Sequence, residues 1–178
     1  MMDKTHKKRN ETPKAAKASK LQTLTLSRIV NASRDKVFKA WTEPSQIMRW
    51  WRPKGFTCPS CKVDLRVGGT FLYCMRSPEG KDFWGRGIYQ EIVPGQKLVY
   101  VDSFADETGN QISPSTHGLS AEWPAESRIT VTFADENNKT KVTLQHADLP
   151  DSAESEMCKT GWNEMLDQLV ENFSKSAR

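Results

Sequence analysis

Residues 151–173, DSAESEMCKTGWNEMLDQLVENF, carry the longest helical pattern of the chain. Apolar residues recur there at spacings of three and four, namely Met157, Gly161/Trp162, Met165/Leu166, Leu169/Val170 and Phe173. Asp151 followed by Glu154 is typical of a capping box at the start of such a helix. A helix with one broad apolar stripe must bury it against another layer, and we expect that layer to be a sheet.

The sheet is predicted from alternating apolar residues upstream of that helix. In the first strand, which begins near residue 21, Leu24, Leu26 and Val30 alternate with polar residues. Further candidate strands cover residues 61–67, 71–75, 83–93, 97–104, 129–133 and 142–146. The last two form a clear hairpin because Asn137-Asn138 lies between them.

The turn at Gly68-Gly69 decides how the second and third strands pair. Alternation gives the second strand an inner face of Cys61, Val63, Leu65 and Val67. A three-residue loop with a left-handed glycine would place Val63 opposite Tyr73 and bring all large apolar side chains to one face. This register also puts Cys61 and Cys74 on opposite faces, which argues against a disulfide between them.

Two short helices are predicted directly after the first strand. Ser33 is a suitable N-cap for the first, and Pro44 fits the first turn of the second. Residues 105–125 show little periodicity, and a loop of that length is usually functional or mobile. The predicted fold is therefore α+β: a curved antiparallel sheet of about seven strands with the long C-terminal helix over its concave face. Because one helix cannot fill a strongly curved sheet, we expect a cavity beneath it.

Charge and hydropathy restrict the class of protein. The net charge is +4, but the basic excess lies in residues 1–20, and the rest of the chain is nearly neutral. We predict a disordered basic tail at 1–20, with contact to RNA or an acidic partner, or a transit peptide, as alternatives. Residues 21–176 are predicted to form a single domain without a specific nucleic-acid surface. No apolar run is long enough to span a membrane and no signal peptide is evident, so we expect a cytoplasmic protein.

Several motifs along this domain resemble those of a known family. They are Ala40-Trp41-Thr42, Trp50-Trp51, Pro53-Lys54-Gly55-Phe56-Thr57, Asp64-Leu65-Arg66-Val67-Gly68-Gly69 and Gly161-Trp162. In this order they are similar to bacterial relatives of the C-terminal domain of the activator of the heat-shock protein 90 ATPase. That group belongs to the START-like (SRPBCC) superfamily, which shares the helix-grip fold with the birch-pollen allergen. The resemblance covers about residues 21–174 and rests mainly on glycines and tryptophans.

The resemblance implies a hydrophobic cavity between the sheet and the terminal helix, for lipid-like, aromatic or polyketide-like ligands. It also implies a stress-related role but no shared catalytic triad. We expect no counterpart of the separate N-terminal domain of the eukaryotic activator, which weighs against a chaperone-activating role. Whether the protein is a monomer or a homodimer stays open.

Aromatic and sulfur-containing residues are the candidates for contact with a ligand. The predicted ligand-binding residues are Trp50, Phe71, Tyr73, Met75, Tyr89, Tyr100, Trp123, His146, Trp162 and Met165. Among them, Tyr73, Tyr100, His146 and Trp162 would supply polar groups at an otherwise apolar site. Gly161, inside the last helix, indicates close approach of another backbone or of a ligand, and a packing notch is the preferred interpretation.

Residues for chemistry are sparse. His117 and His146 are candidates for acid–base catalysis, although a buried or surface structural role is preferred for each. Cys58-Pro59-Ser60-Cys61 is an isolated C-x-x-C, so we expect neither a metal site nor a cofactor. The preferred hypothesis is non-catalytic binding of a small hydrophobic, aromatic or lipid-like molecule. The alternatives are a cyclase- or hydrolase-type enzyme that uses His117 or His146, and a chaperone-linked interaction module.

Overall fold

The computed structural model describes residues 20–175, so the predicted tail at 1–20 lies almost wholly outside the described residues. The strands are β1 (Gln22–Val30), β2 (Thr57–Val63), β3 (Thr70–Arg76), β4 (Asp82–Val93), β5 (Lys97–Ala105), β6 (Ser127–Glu136) and β7 (Lys139–Leu149). The helices are α1 (Arg34–Thr42), α2 (Pro44–Ile47) and α3 (Ala153–Lys175), with a 3₁₀ helix at Pro114–His117. No helix within 20–175 is long and apolar enough to cross a membrane.

The strands form one antiparallel sheet in the order β1-β7-β6-β5-β4-β3-β2. From β2 to β7 each strand pairs with the next along the chain, while β1 pairs with β7. The β6–β7 hairpin turns at Asn137 and Asn138, whose φ angles of 51° and 63° give the left-handed pair that a tight hairpin needs. The predicted α+β architecture, with two short helices after β1 and a long C-terminal helix, is confirmed.

Helix α3 buries one face against the concave side of the sheet. Trp162, Met165, Leu166 and Leu169 join the hydrophobic core, as the apolar spacing predicts. Met157 is 63% exposed, so the buried stripe begins later than the sequence indicates.

The start of α3 also differs from the predicted capping box. The backbone N–H of Ser155 donates to Ser152 Oγ at 3.4 Å, and the Glu154 carboxylate faces away from the helix end. Glu154 accepts hydrogen bonds from the backbone N–H and the hydroxyl of Ser120, each at 2.7 Å. The carboxylate thereby ties the long loop after β5 to the first turn of α3.

Strand β2 ends earlier than its alternation predicts. It stops at Val63, and the next residues form a turn in which Gly68 has a φ of 80°. Leu65 and Val67 are 43% and 62% exposed, so their prediction as inward residues is wrong. The apolar alternation continues beyond Val63, but the residues that carry it do not pair with β3 and form the turn instead.

The turn between β2 and β3 is longer than predicted. This changes the register of the two strands but leaves each side chain on its predicted face. Val63 lies opposite Phe71, not opposite Tyr73 as predicted, and Cys61 lies opposite Tyr73. A shift of two residues leaves each side chain on its predicted face, because the period of a strand is two. Cys61 and Cys74 are therefore on opposite faces, and both are free thiols.

One end of the interior, beneath α1 and α2, is filled by aromatic rings. We call Phe38, Trp41, Trp50 and Phe133 the packed aromatic cluster. Its ring centroids lie 4.6 to 6.2 Å apart. Trp50 is fully buried, and its indole N–H donates to the carbonyl of Ala40 at 2.8 Å. Trp51 borders this cluster and turns toward α3, where its ring meets Trp162 at 5.5 Å.

Candidate functional site

A cavity of about 190 Å³ lies between α3 and the sheet, at the end that carries the loop between β5 and β6. Its apolar lining consists mainly of Trp51, Met75, Phe104, Trp123, Trp162 and Met165. Its polar lining includes Tyr73, Asp102, Ser127, His146 and Cys158. A mostly apolar pocket with a few converging polar groups is the usual form of a small-molecule site.

The predicted ligand-binding residues divide into two groups. Those that line the cavity are Tyr73, Met75, Trp123, His146, Trp162 and Met165. Those that do not are Trp50, Phe71, Tyr89 and Tyr100, which are buried in the core instead. The hydroxyl groups of Tyr89 and Tyr100 have no hydrogen-bond partner in the described part of the chain. The role of the lining residues in binding stays a prediction.

Two glycines of β4 determine how the tyrosines lie on the sheet. Gly85 is opposite Tyr73, and a Cβ at position 85 would overlap the Tyr73 ring. A Cβ at Gly87 would come within 2.7 Å of Tyr100 Cδ2. The missing side chains let both rings lie across the strand. Glycine in a strand marks such close approaches, so the alternation of Gly85 and Gly87 is a signal that the sequence analysis missed.

Asp102 is the site residue that the sequence analysis did not identify. It lies on β5, two residues after Tyr100 and on the same face, so its carboxylate borders the cavity. The hydroxyl of Tyr73 donates to Asp102 Oδ1 at 3.2 Å, and within residues 20–175 Asp102 forms no ion pair. Burial raises the pKa of Asp102 to about 7, although the hydrogen bond from Tyr73 opposes that rise.

His146 borders the same cavity from β7, as a neutral imidazole. The indole N–H of Trp162 donates to His146 Nδ1 at 3.0 Å, and Cys158 Sγ lies 3.6 Å from the same nitrogen. Since an indole nitrogen only donates, Nδ1 accepts and the ring proton is assigned to Nε2. Nε2 is buried and has no partner among the described residues. Burial lowers the pKa of His146 to about 4, so the ring stays neutral at pH 7.

His117 lies outside this cavity. Its ring packs against Phe83 and Phe104, with centroid distances of 5.3 and 4.9 Å. Desolvation lowers its pKa, and both ring nitrogens are buried without a partner in the described chain. His146 lines the cavity and His117 does not, and neither nitrogen of His117 has a partner among the described residues, so the two histidines do not form an acid–base pair.

Gly161 lines the cavity from the middle of α3. A Cβ at this position would meet no heavy atom within 4 Å outside the local helix backbone. The interpretation of Gly161 as a packing notch is therefore wrong, since no neighbouring element lies close to it. The glycine instead leaves the helix surface bare where it faces the cavity.

The two cysteines of the C-x-x-C are unreactive thiols. Cys58 and Cys61 of the C-x-x-C are free, and burial raises their pKa values to about 11 and about 12. Thiols with such pKa values are protonated at pH 7 and poor nucleophiles. Within residues 20–175, no three His, Cys, Asp or Glu side chains are grouped closely enough to hold a metal ion.

Solved bacterial structures share this fold. A protein from Chromobacterium violaceum is 28% identical, with a TM-score of 0.68, over 85% of this chain and 96% of the other. A protein from Nitrosomonas europaea is 23% identical, with a TM-score of 0.70, over 87% of this chain and 96% of the other. The AHSA1 protein from Silicibacter pomeroyi is 19% identical, with a TM-score of 0.68, over 87% of this chain and 99% of the other.

No curated protein matches the sequence closely. The family model described as "Activator of Hsp90 ATPase homolog 1-like protein" matches residues 31–174, which is most of the chain. The match runs from the end of β1 to the last turn of α3 and includes every element that lines the cavity. The chain therefore belongs to the Activator of Hsp90 ATPase homolog 1-like protein family.

Proposed function

We propose that this protein binds a small aromatic molecule in the cavity beneath α3 and acts by binding rather than by catalysis. The observation that carries the proposal is the cavity itself, about 190 Å³ in volume and lined mainly by aromatic and methionine side chains. A cavity of about 150 Å³ with an apolar lining is sufficient to bind benzene. The volume therefore favours a ligand with a single ring over the lipid-like and polyketide-like ligands that the family resemblance implies.

The lining supports binding more directly than it supports a reaction. The lone pair of His146 Nδ1 is engaged by Trp162, and the neutral ring carries its proton on Nε2. The nearest thiol, Cys158, has a pKa that burial raises to about 12, so it is not an activated nucleophile. A polar group of a ligand would instead find an acceptor in Asp102.

Calorimetry and tryptophan fluorescence with single-ring aromatics and with long-chain fatty acids test the proposal. We expect saturable binding of the single-ring compounds and none of the fatty acids, with a change in fluorescence because Trp123 and Trp162 line the cavity. The matched variant is Gly161→Leu. Its side chain would extend from α3 into the cavity and should abolish binding. Single-ring compounds that fail to bind, or that bind Gly161→Leu equally well, would contradict the proposal.

A cavity enzyme is the second candidate, because a carboxylate with a pKa of about 7 is suited to accept a proton at neutral pH. The site would then need a ligand whose proton lies within reach of Asp102 or His146. Exchange of ligand hydrogens with deuterated water, followed by NMR, measures such a transfer directly. Exchange that is accelerated by the wild type and lost in Asp102→Asn would establish the enzyme. Unchanged exchange of a bound ligand would leave binding as the function.

A chaperone-linked role is the third candidate, and it rests on the description of the family as Hsp90 ATPase activator-like. The Hsp90 of the same cell, assayed for ATPase rate with and without this protein, tests it. A rate that rises saturably with added protein would support a chaperone partner. We expect no such rise, and we expect the protein in the cytoplasmic fraction of the cell.

A further inference from the structure

We propose that the cavity selects a small aromatic ammonium ion over neutral and anionic molecules of the same size, with Asp102 as the counter-ion. This inference rests on the proposed binding function and adds the charge class of the ligand. Its starting point is a carboxylate that borders a mainly apolar cavity and has only one hydrogen-bonding side chain, Tyr73, among residues 20–175. Charges in such surroundings are normally paired, because an unpaired buried charge costs several kcal/mol.

The groups around Asp102 supply no positive charge. Tyr73 on β3, Tyr100 on β5 and Cys158 on α3 are all acids that burial keeps in the neutral form. His146 on β7 is neutral because burial lowers its pKa to about 4. The polar residue on the neighbouring strand β6, Ser127, carries no charge.

The arginines on the two neighbouring strands, Arg86 of β4 and Arg128 of β6, lie on the outer face, because they pair with Ser103 and Val101. Arg86 of β4 pairs with Ser103, and its guanidinium donates to Ser103 Oγ, to the carbonyl of Gly109 and to Gln111 Oε1. Successive side chains of a strand point to opposite faces, so Arg86 and Asp102 are separated by the sheet. The cavity therefore presents one ionisable group that can be charged at neutral pH, and that charge is negative.

The aromatic lining favours the same ligand charge. Trp51, Tyr73, Phe104, Trp123 and Trp162 all border the cavity. The face of an aromatic ring attracts a cation, and rings arranged around a pocket form the cages that bind organic ammonium ions. An anion would meet the like charge of the Asp102 carboxylate. A neutral molecule would leave the carboxylate unpaired or protonated.

His146 contributes no second polar contact to the ligand. Its ring borders the cavity, but its Nε2 is buried away from the cavity surface and its Nδ1 accepts from Trp162. The preferred ligand is thus a single aromatic ring with an ammonium group at one end.

Three probes of nearly equal size separate charge from shape: benzylammonium, benzyl alcohol and benzoate. At pH 8, calorimetry should show benzylammonium binding at least about tenfold more tightly than either of the other two. Asp102→Asn keeps the shape of the side chain and should remove this preference while benzyl alcohol affinity changes by less than about twofold. Benzyl alcohol binding more tightly than benzylammonium would overturn the charge assignment and leave the proposed function standing. Binding of none of the three would contradict the proposed function itself.

The pH dependence provides a second test that does not rely on Asp102→Asn folding. Benzylammonium keeps its charge between pH 5 and 8, as a lysine does. The carboxylate becomes protonated as the pH falls below about 7, so benzylammonium affinity should fall about tenfold per pH unit below pH 6. Tyr73→Phe removes the donor that lowers the Asp102 pKa and should move this profile to higher pH. An affinity that does not depend on pH in wild type would contradict the assignment.

Discussion

The two ends of the protein interior use the same residue types for opposite purposes. Beneath α1 and α2, the packed aromatic cluster is closed, and Trp50 is fully buried with its N–H satisfied by Ala40. Beneath the middle of α3, Trp51 and Trp162 meet edge to face but leave a cavity beside them. The helices α1 and α2 cover the first end. The second end is covered by the loop between β5 and β6 and by the part of α3 that carries Gly161. An aromatic-rich interior therefore does not by itself indicate whether a region is packed or open.

The chemistry of the two ends differs as well. The packed aromatic cluster contains no ionisable side chain. The cavity end contains Asp102 and His146, whose pKa values burial moves to about 7 and about 4. At pH 7 an unfolded aspartate is ionised, so the raised pKa of Asp102 lowers the stability of the fold, whereas His146 is mainly neutral in both states and changes it little. We infer that the packed end stabilises the fold and that the cavity end keeps a destabilising carboxylate available to a ligand.

The largest effect should come from opening the packed end. Trp50→Ala removes a fully buried ring and its hydrogen bond, so we expect it to lower the free energy of unfolding by about 3–5 kcal/mol. The matched change at the cavity end is Trp123→Ala, which removes a partly exposed ring and should cost less than about 1 kcal/mol. Urea unfolding of both variants measures the difference. Equal losses would mean that the two ends are packed alike.

The second effect concerns the buried carboxylate at the cavity end. The pKa of Asp102 is about 7 in the fold, against about 3.9 for an unfolded aspartate. Between these values the folded state binds more protons, so Asp102 makes wild-type stability fall as the pH rises. Relative to wild type, Asp102→Asn should therefore gain stability from pH 4 to pH 7, on the order of 3 kcal/mol in total. Urea unfolding across this range measures the gain.

His146 provides a control of opposite sign at the same end. Its pKa of about 4 lies below the unfolded value of about 6.5, so the unfolded state binds more protons between them. The stability that neutral His146 preserves at pH 7 is therefore lost as the pH falls from 6.5 to 4. His146→Gln should remove that acid sensitivity, while Asp102→Asn should expose it more fully. A difference from wild type that is flat with pH in both variants would show that neither group is buried as described.

The third effect lies in the sheet beneath the cavity. Gly85→Ala places a methyl group where the Tyr73 ring lies, so we expect a loss of about 1–3 kcal/mol in the free energy of unfolding. The displaced ring should also withdraw its hydroxyl from Asp102 and raise the pKa of that carboxyl further, since the hydrogen bond lowers it. Chemical denaturation and NMR titration of the carboxyl carbon report the two changes. A neutral substitution would show that the ring has room to move.

Local patterns predicted most of the fold. The hairpin at Asn137-Asn138 and the stripe of α3 depend on residues close in sequence, so periodicity and turn chemistry locate them. The second strand was misplaced because alternation continues through Leu65 and Val67 into a turn. Pairing partners, which the sequence does not show, determine where that strand ends.

The sequence predicted which side chains point inward, but not which of them reach the cavity. Tyr73 and Tyr100 both point inward, yet only Tyr73 reaches the cavity, because its position along the strand lies where the covering α3 and loop leave space. That position depends on contacts between distant segments. Asp102 shares the inward phase of Tyr100 but is charged, and charge in a strand usually indicates the solvent face.

The smallest effect compares Gly161 with Gly85. Glycine inside a helix costs about 1 kcal/mol relative to alanine, and a Cβ at position 161 would meet nothing within 4 Å. Gly161→Ala should therefore raise the free energy of unfolding by about 0.5–1 kcal/mol, where the same change at Gly85 lowers it. Thermal and urea unfolding of the two alanine variants, measured side by side, give opposite signs if the space beside Gly161 is empty and the space beside Gly85 is filled by the Tyr73 ring. A loss of stability in Gly161→Ala would mean that a neighbouring element already occupies that space.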